Sequence, residues 1–91
     1  MKAVHVIVRG RVQGVGFREW TRRMAEQRRL SGWVRNRSEG YVEVLVAGDE
    51  TALQSMLVLL EKGPPASFVT KVDVTAAELP AQPGFQRLPT V

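Results

Sequence analysis

The run Val8-Arg9-Gly10-Arg11-Val12-Gln13-Gly14-Val15-Gly16-Phe17-Arg18 separates two hydrophobic periods, and the change of period decides the fold. Upstream, Ala3 to Arg9 alternates, with Val4, Val6 and Val8 on one face and His5, Ile7 and Arg9 on the other. That is the pattern of a half-buried strand. Downstream, Phe17, Trp20, Thr21, Met24 and Ala25 recur at helical spacing with charged residues opposite them, which predicts a helix from Phe17 to about Arg29. The three glycines in between are more than a connector needs. They let the backbone turn with its N–H groups converging on one point, and the first turn of the helix adds unpaired N–H groups and partial positive charge. Arg18, in that first turn, closes the concavity with a planar two-pronged donor, so the segment reads as a cradle for a phosphate-sized anion.

The rest of the chain supplies the layers around this junction. Gly32 to Arg37 and Tyr41 to Val46 read as two strands joined through Ser38-Glu39-Gly40, a hairpin. Asp49 caps a second helix whose apolar stripe is Leu53, Met56, Leu57 and Leu60, and Gly63-Pro64-Pro65 stops it. Phe68 to Thr75 is a further strand, with Val72 and Val74 on one face. Phe85 to Leu88 adds a short edge strand in which Arg87 stands where the alternation calls for a second inward apolar residue. The order β-α-β-β-α-β with a terminal β predicts an α+β, ferredoxin-like split βαβ sandwich: an antiparallel sheet of four to five strands with two helices on one face. Residues 1–91 are expected to form a single domain.

Composition narrows the chemistry. With 91 residues and 44% hydrophobic content, the chain suffices for one core. It has no cysteine, which removes thiol nucleophiles, disulfides and thiolate metal sites and favours a reducing compartment, so a cytoplasmic protein is expected. The N-terminal residues carry no apolar targeting run and no stretch is long enough to cross a bilayer. The net charge of +4 points to anionic partners. The arginines at 9, 11, 18, 22, 23, 28, 29, 35 and 37 crowd the first two fifths of the sequence. None of the nine acidic residues forms an evident catalytic pair, His5 is the only histidine, and no Gly-Lys-Ser nucleotide loop is present.

Two linked segments carry a resemblance. Gly10-x-Val12-Gln13-Gly14-Val15-x-Phe17-Arg18, followed by Gly32-Trp33-Val34-Arg35-Asn36-x-x-x-Gly40-x-Val42 and then Gly48, resembles the acylphosphatase family over nearly the whole chain. The resemblance implies hydrolysis of a small-molecule acyl phosphate to a carboxylate and inorganic phosphate, the latter both product and inhibitor, by a monomer without cofactor or metal. It assigns phosphate binding to Arg18 and to the backbone amides of Gln13, Gly14, Val15, Gly16, Phe17 and Arg18, and water positioning to Asn36. The residue types suit these roles. The leaving group of an acyl phosphate is a stable carboxylate, so the protein needs mainly positioning and electrostatic stabilisation. An asparagine can orient water without adding charge that repels the phosphate.

Two other readings share the topology. An RNA-recognition module would carry stacking aromatics on its central strands, whereas Val4 to Arg9 has none and the third strand has only Tyr41; no nucleic acid or membrane partner is expected. A non-catalytic anion-binding domain, like those fused to carbamoyl-transfer maturation proteins, would keep phosphate binding without turnover. Trp20 and Trp33 are expected at the core or its edge, and His5 on the surface, outside any motif. The chain also departs from the resembled family, whose first helix ends in Leu-Gly-Leu, whereas Arg28-Arg29-Leu30 stands here. Arg28 falls on the apolar stripe and must run its stem along the core edge, and Arg29 stands at a left-handed position that costs a non-glycine residue roughly 1 kcal/mol.

Overall fold

The computed structural model describes residues 1–91. Seven elements follow one another: β1 (Lys2–Arg11), α1 (Phe17–Gln27), β2 (Ser31–Asn36), β3 (Val42–Gly48), α2 (Glu50–Lys62), β4 (Phe68–Ala76) and β5 (Phe85–Arg87). They form one five-stranded sheet in the order β4-β1-β3-β2-β5, with both helices on the same face. The split βαβ arrangement anticipated from the pattern is present. The four long strands pair antiparallel, but β5 joins β2 in parallel, with Gly32, Trp33 and Val34 opposite Phe85, Gln86 and Arg87. The sheet is therefore mixed, a correction to the all-antiparallel expectation. A strand reached from the far edge by a loop over the sheet end can enter beside β2 in either direction, and alternation in three residues does not encode which.

The core lies between the sheet and the helices. Val6 and Val8 of β1, Val34 of β2, and Val42, Val44 and Val46 of β3 meet Phe17 and Ala25 of α1 and Leu53, Met56 and Leu60 of α2, all buried. Asp49 caps α2 as predicted, its carboxylate accepting from the backbone N–H of Thr51 and Ala52. Val72 packs against the core, whereas Val74 is left 45% exposed because β4 is an edge strand that α2 covers only in part. No helix is long and apolar enough to cross a membrane.

Helix α1 stops two residues short of the expected Arg29. The Leu30 N–H bonds the Ala25 carbonyl at 3.0 Å and the Arg29 N–H bonds that of Glu26 at 3.1 Å. These crossed bonds place Arg29 in the left-handed region at φ 56°, the one non-glycine residue of the chain there. Arg28 lies along the core edge and uses its head group: Nε donates to Ser55 Oγ of α2 at 3.0 Å and a terminal nitrogen to the Met24 carbonyl at 3.0 Å.

Candidate active site

The site assembles at one end of the sheet, where β1 hands over to α1. Gly14 and Gly16 both take left-handed backbone angles, φ 72° and 75°, with open space where a side chain would project. Alternation through such angles turns successive N–H groups toward one side of the chain. None of the backbone N–H groups from Gln13 to Glu19 donates to a backbone or side-chain acceptor of the protein. Seven adjacent donors thus lie unused at the positive end of a helix.

The loop is held from the side. The Gln13 carboxamide donates to the carbonyls of Arg37 at 2.8 Å and Tyr41 at 2.9 Å, pinning the loop to the residues that close the β2–β3 hairpin. Val15 tucks against the core. Neither residue lines the pocket that the loop borders. That pocket, about 210 Å3, is walled by Gly14, Gly16, Phe17, Arg18, Asn36 and Arg87, with Val12 and Glu19 completing it. Of the residues singled out in the sequence, Gly14, Gly16, Phe17, Arg18 and Asn36 converge here.

Arg18 is oriented by the C-terminal segment: one terminal nitrogen donates to the Leu88 carbonyl at 3.1 Å, and its other donors have no protein partner. Asn36 reaches the pocket by alternation, two residues beyond buried Val34 on the same face of β2. Its main-chain carbonyl accepts from Val91 N–H at 3.2 Å, while the side-chain Oδ1 is buried with no hydrogen-bond partner. Such an acceptor is costly unless something donates to it. Thr21 Oγ1 and Arg37 Nε are the other buried polar side-chain atoms without a partner.

Two charged residues at this pocket escaped the sequence reading. Glu19 accepts from Arg22 at 2.6 and 3.1 Å, and those hydrogen bonds hold its carboxyl below the usual range, so it stands ionised on the rim. Arg87, which the sequence presented as a break in the alternation of β5, lies across from Val34 and lines the pocket. Its position was invisible because it depends on the parallel pairing with β2.

On the opposite face of the sheet a second polar cluster forms. Glu43 is 8% exposed and receives Arg35 Nε at 2.7 Å, Arg37 at 3.1 Å and the His5 ring at 2.6 Å. Burial pushes the Glu43 carboxyl up, but the hydrogen bonds from Arg35, His5 and Arg37 outweigh it and bring it down to about 2. The Arg35 guanidinium lies 4.7 Å over the Trp33 ring, whose edge meets His5. Trp33 is therefore on the open face rather than at the helix-covered core, because it is one residue out of phase with buried Val34. Trp20 packs on Phe17 at the core edge, as anticipated. A larger concavity of about 530 Å3 between α2 and β4 is lined by Leu57, Val58, Val72 and Val74 together with Gln54, Thr70, Lys71 and Glu61, and holds none of the residues singled out in the sequence as site residues.

The comparisons with known proteins agree with this geometry. A family model described as Acylphosphatase matches residues 4–87. The chain is 50% identical over 90 residues to an acylphosphatase of Acidiphilium cryptum, covering 99% of each. The crystal structure of acylphosphatase from Bacillus subtilis superposes with a TM-score of 0.93 at 44% identity, covering 97% of this chain and 99% of that one. An acylphosphatase structure from Coxiella burnetii gives 0.91 at 36% identity over 96% and 92%. With a match of this extent, and both glycine-rich and asparagine-bearing segments meeting at one pocket, the chain belongs to the acylphosphatase family.

Proposed function

We propose that this chain hydrolyses acyl phosphates through the pocket between the Gln13 to Arg18 loop and Asn36. The observation that carries the reading is the row of unused backbone donors from Gln13 to Glu19, in a loop and first helical turn of which Gly14, Gly16, Phe17, Arg18 and Glu19 line a pocket that also holds Asn36, with its unpartnered Oδ1. The amides and the free prongs of Arg18 bind the phosphoryl oxygens, over which charge spreads in a loose transition state. Asn36 Oδ1 accepts a hydrogen bond from the attacking water and aims its lone pair at phosphorus. The water oxygen bonds to phosphorus as the bond to the acyl oxygen breaks. The bonding pair leaves with the carboxylate, and the proton of the water passes to a phosphoryl oxygen. The products are a carboxylate and dihydrogen phosphate, with no phosphoenzyme.

No protein acid or base enters this scheme, in keeping with the neighbours of the site. Glu19 is occupied by Arg22, and His5 and Glu43 are on the other face of the sheet. Inorganic phosphate occupies the same cradle and competes with substrate. The lack of cysteine favours the cytoplasm, and the site draws on one chain, as a monomer requires. The test is hydrolysis of benzoyl phosphate in the presence of a chelator, with Arg18→Ala and Asn36→Ala alongside. Metal-independent turnover lost in both variants is expected. A folded wild type that binds phosphate without turning over benzoyl phosphate would return the chain to the anion-binding reading, and a labelled phosphoprotein trapped during turnover would overturn direct water attack.

A further inference from the structure

We propose that Arg87 is a second phosphate-binding guanidinium of this site, exchanging a loose contact with Glu19 for the anion when it enters. The parallel register sets Arg87 opposite Val34, so its side chain stands on the same sheet face as Val34 and Asn36, and it lines the pocket with Arg18. The next residue along the backbone, Leu88, gives its carbonyl to Arg18. One short segment thus brings a guanidinium to the pocket and anchors the other.

Arg87 makes no side-chain hydrogen bond. Its nearest carboxylate oxygen, Glu19 Oε1, is 3.8 Å away, beyond hydrogen-bonding distance, and its side chain is 47% exposed. Glu19 does not depend on it, because Arg22 engages both Glu19 oxygens at 3.1 and 2.6 Å. Moving Arg87 toward a phosphate therefore leaves no carboxylate unpaired, and a planar fork with all its donors free meets an acceptor suited to two of them. A dianion in a pocket rimmed by ionised Glu19 gains from a cation that turns toward it. Removing Arg87 costs affinity for phosphate itself rather than for the acyl portion.

The inference rests on the acyl phosphate reading of the pocket, yet it is tested by binding rather than turnover. Inorganic phosphate is titrated, by calorimetry at fixed ionic strength, into the wild type, Arg87→Gln, Arg87→Lys, Glu19→Gln and the Arg87→Gln/Glu19→Gln double variant, each checked for folding by thermal unfolding. Arg87→Gln is expected to weaken phosphate binding about tenfold and Arg87→Lys by less, since a point charge replaces the fork. Glu19→Gln is expected to tighten it. The deciding comparison is within the Glu19→Gln background. If Arg87→Gln still weakens binding about tenfold there, Arg87 contacts the anion. If it has no effect there, Arg87 only offsets Glu19 and the proposal falls, as it does if Arg87→Gln alone binds phosphate like the wild type. Arg87-dependent phosphate binding in a protein that does not hydrolyse benzoyl phosphate would remove the reaction proposed above and leave this assignment standing.

Discussion

Asn36 sits between Arg35 and Arg37, and the three side chains meet opposite fates on the two faces of the sheet. On the open face, Arg35, Arg37 and His5 converge on Glu43 and satisfy both of its oxygens. On the helix-covered face, Asn36 Oδ1 is buried with no partner, beside seven backbone amides that donate to nothing in the protein. A carboxylate with both oxygens paired, like that of Glu43, contributes to stability and does no chemistry, whereas polar groups left unpaired at a pocket are poised for a ligand at some expense to the fold. Substitutions on the two faces should therefore separate: the covered face changes rate, the open face changes unfolding.

The largest effect is expected from Arg18→Ala, a fall in kcat/KM on the order of 10³-fold, as for arginines that stabilise a transferring phosphoryl group elsewhere. Arg18→Lys should not restore it, because in the proposed reaction one prong of the rigid fork stays on the Leu88 carbonyl while the others take the phosphoryl oxygens. Steady-state kinetics on benzoyl phosphate measures both. Equal thermal unfolding midpoints for wild type and Arg18→Ala would show that the loss belongs to the reaction. A variant that simply unfolds would erase the distinction between the faces.

Asn36→Ala comes next, with kcat lower by about 10²-fold and competitive inhibition by phosphate preserved. In the proposed reaction binding and water positioning are separate tasks: Arg18 and the amides would hold the anion, and Asn36 Oδ1 the nucleophile. Removing an unpartnered buried acceptor also leaves no donor stranded, so the fold should be unharmed or slightly firmer. A parallel loss of phosphate inhibition would mean that Asn36 helps to bind, and the two tasks would merge.

Glu43→Gln probes the other face. It leaves Arg35 and Arg37 without their carboxylate in a site that is 8% exposed, and about 2–3 kcal/mol of stability should be lost in urea unfolding. The rate should stay within about threefold where the variant is folded. The wild type adds a pH signature. Its Glu43 carboxyl titrates at about 2 in the fold against an ordinary value of 4.5, so the unfolded chain binds the proton first as pH falls. The contribution is complete above about 4.5 and disappears progressively as pH drops toward 2. Thermal unfolding between pH 6 and 2 should show this slope in the wild type and a shallower one in Glu43→Gln. A rate loss in Glu43→Gln as large as that of Asn36→Ala would mean the open face positions the asparagine, and the two faces would no longer be independent.

The parts legible in the sequence were those encoded by local rules. The switch of period at Val8 to Arg18 gave β1 and α1, Asp49 gave the start of α2, and the glycine spacing marked the loop. Arg18 and Asn36 could be singled out because their segments form a recognisable pair. What stayed hidden depends on pairings between distant residues. Arg87 becomes a pocket residue only through the parallel β2–β5 register, and Arg18 is oriented by a main-chain carbonyl seventy residues away, which any side chain at position 88 would supply. His5 looked isolated because Glu43 is 38 residues downstream, and they meet diagonally across β1 and β3. Trp33 lies off the helix-covered core because its neighbour Val34, not the tryptophan, takes the inward phase of β2, a phase that the tryptophan's size does not reveal.

The smallest effect belongs to neither face. Arg29 is held at φ 56° by the crossed bonds that end α1, and a Cβ in that region costs about 1–2 kcal/mol. Arg29→Gly removes that cost but gives the unfolded chain more freedom to lose, worth about 0.5–1 kcal/mol in the other direction. The net gain should be about 0.5–1 kcal/mol, or about 2–8 °C in Tm for a chain of this size. Arg29 is exposed and makes no side-chain hydrogen bond or ion pair, so nothing else is forfeited. Kinetics should be unchanged, because the helix end lies a full helix length from Arg18. Differential scanning calorimetry with parallel assays separates the outcomes. A stabilised variant with wild-type rate would mean that the strain at Arg29 is independent of the site. A stabilised variant with a slower rate would tie the far end of α1 to the orientation of Arg18, and the division of labour would then run along the helix as well as across the sheet.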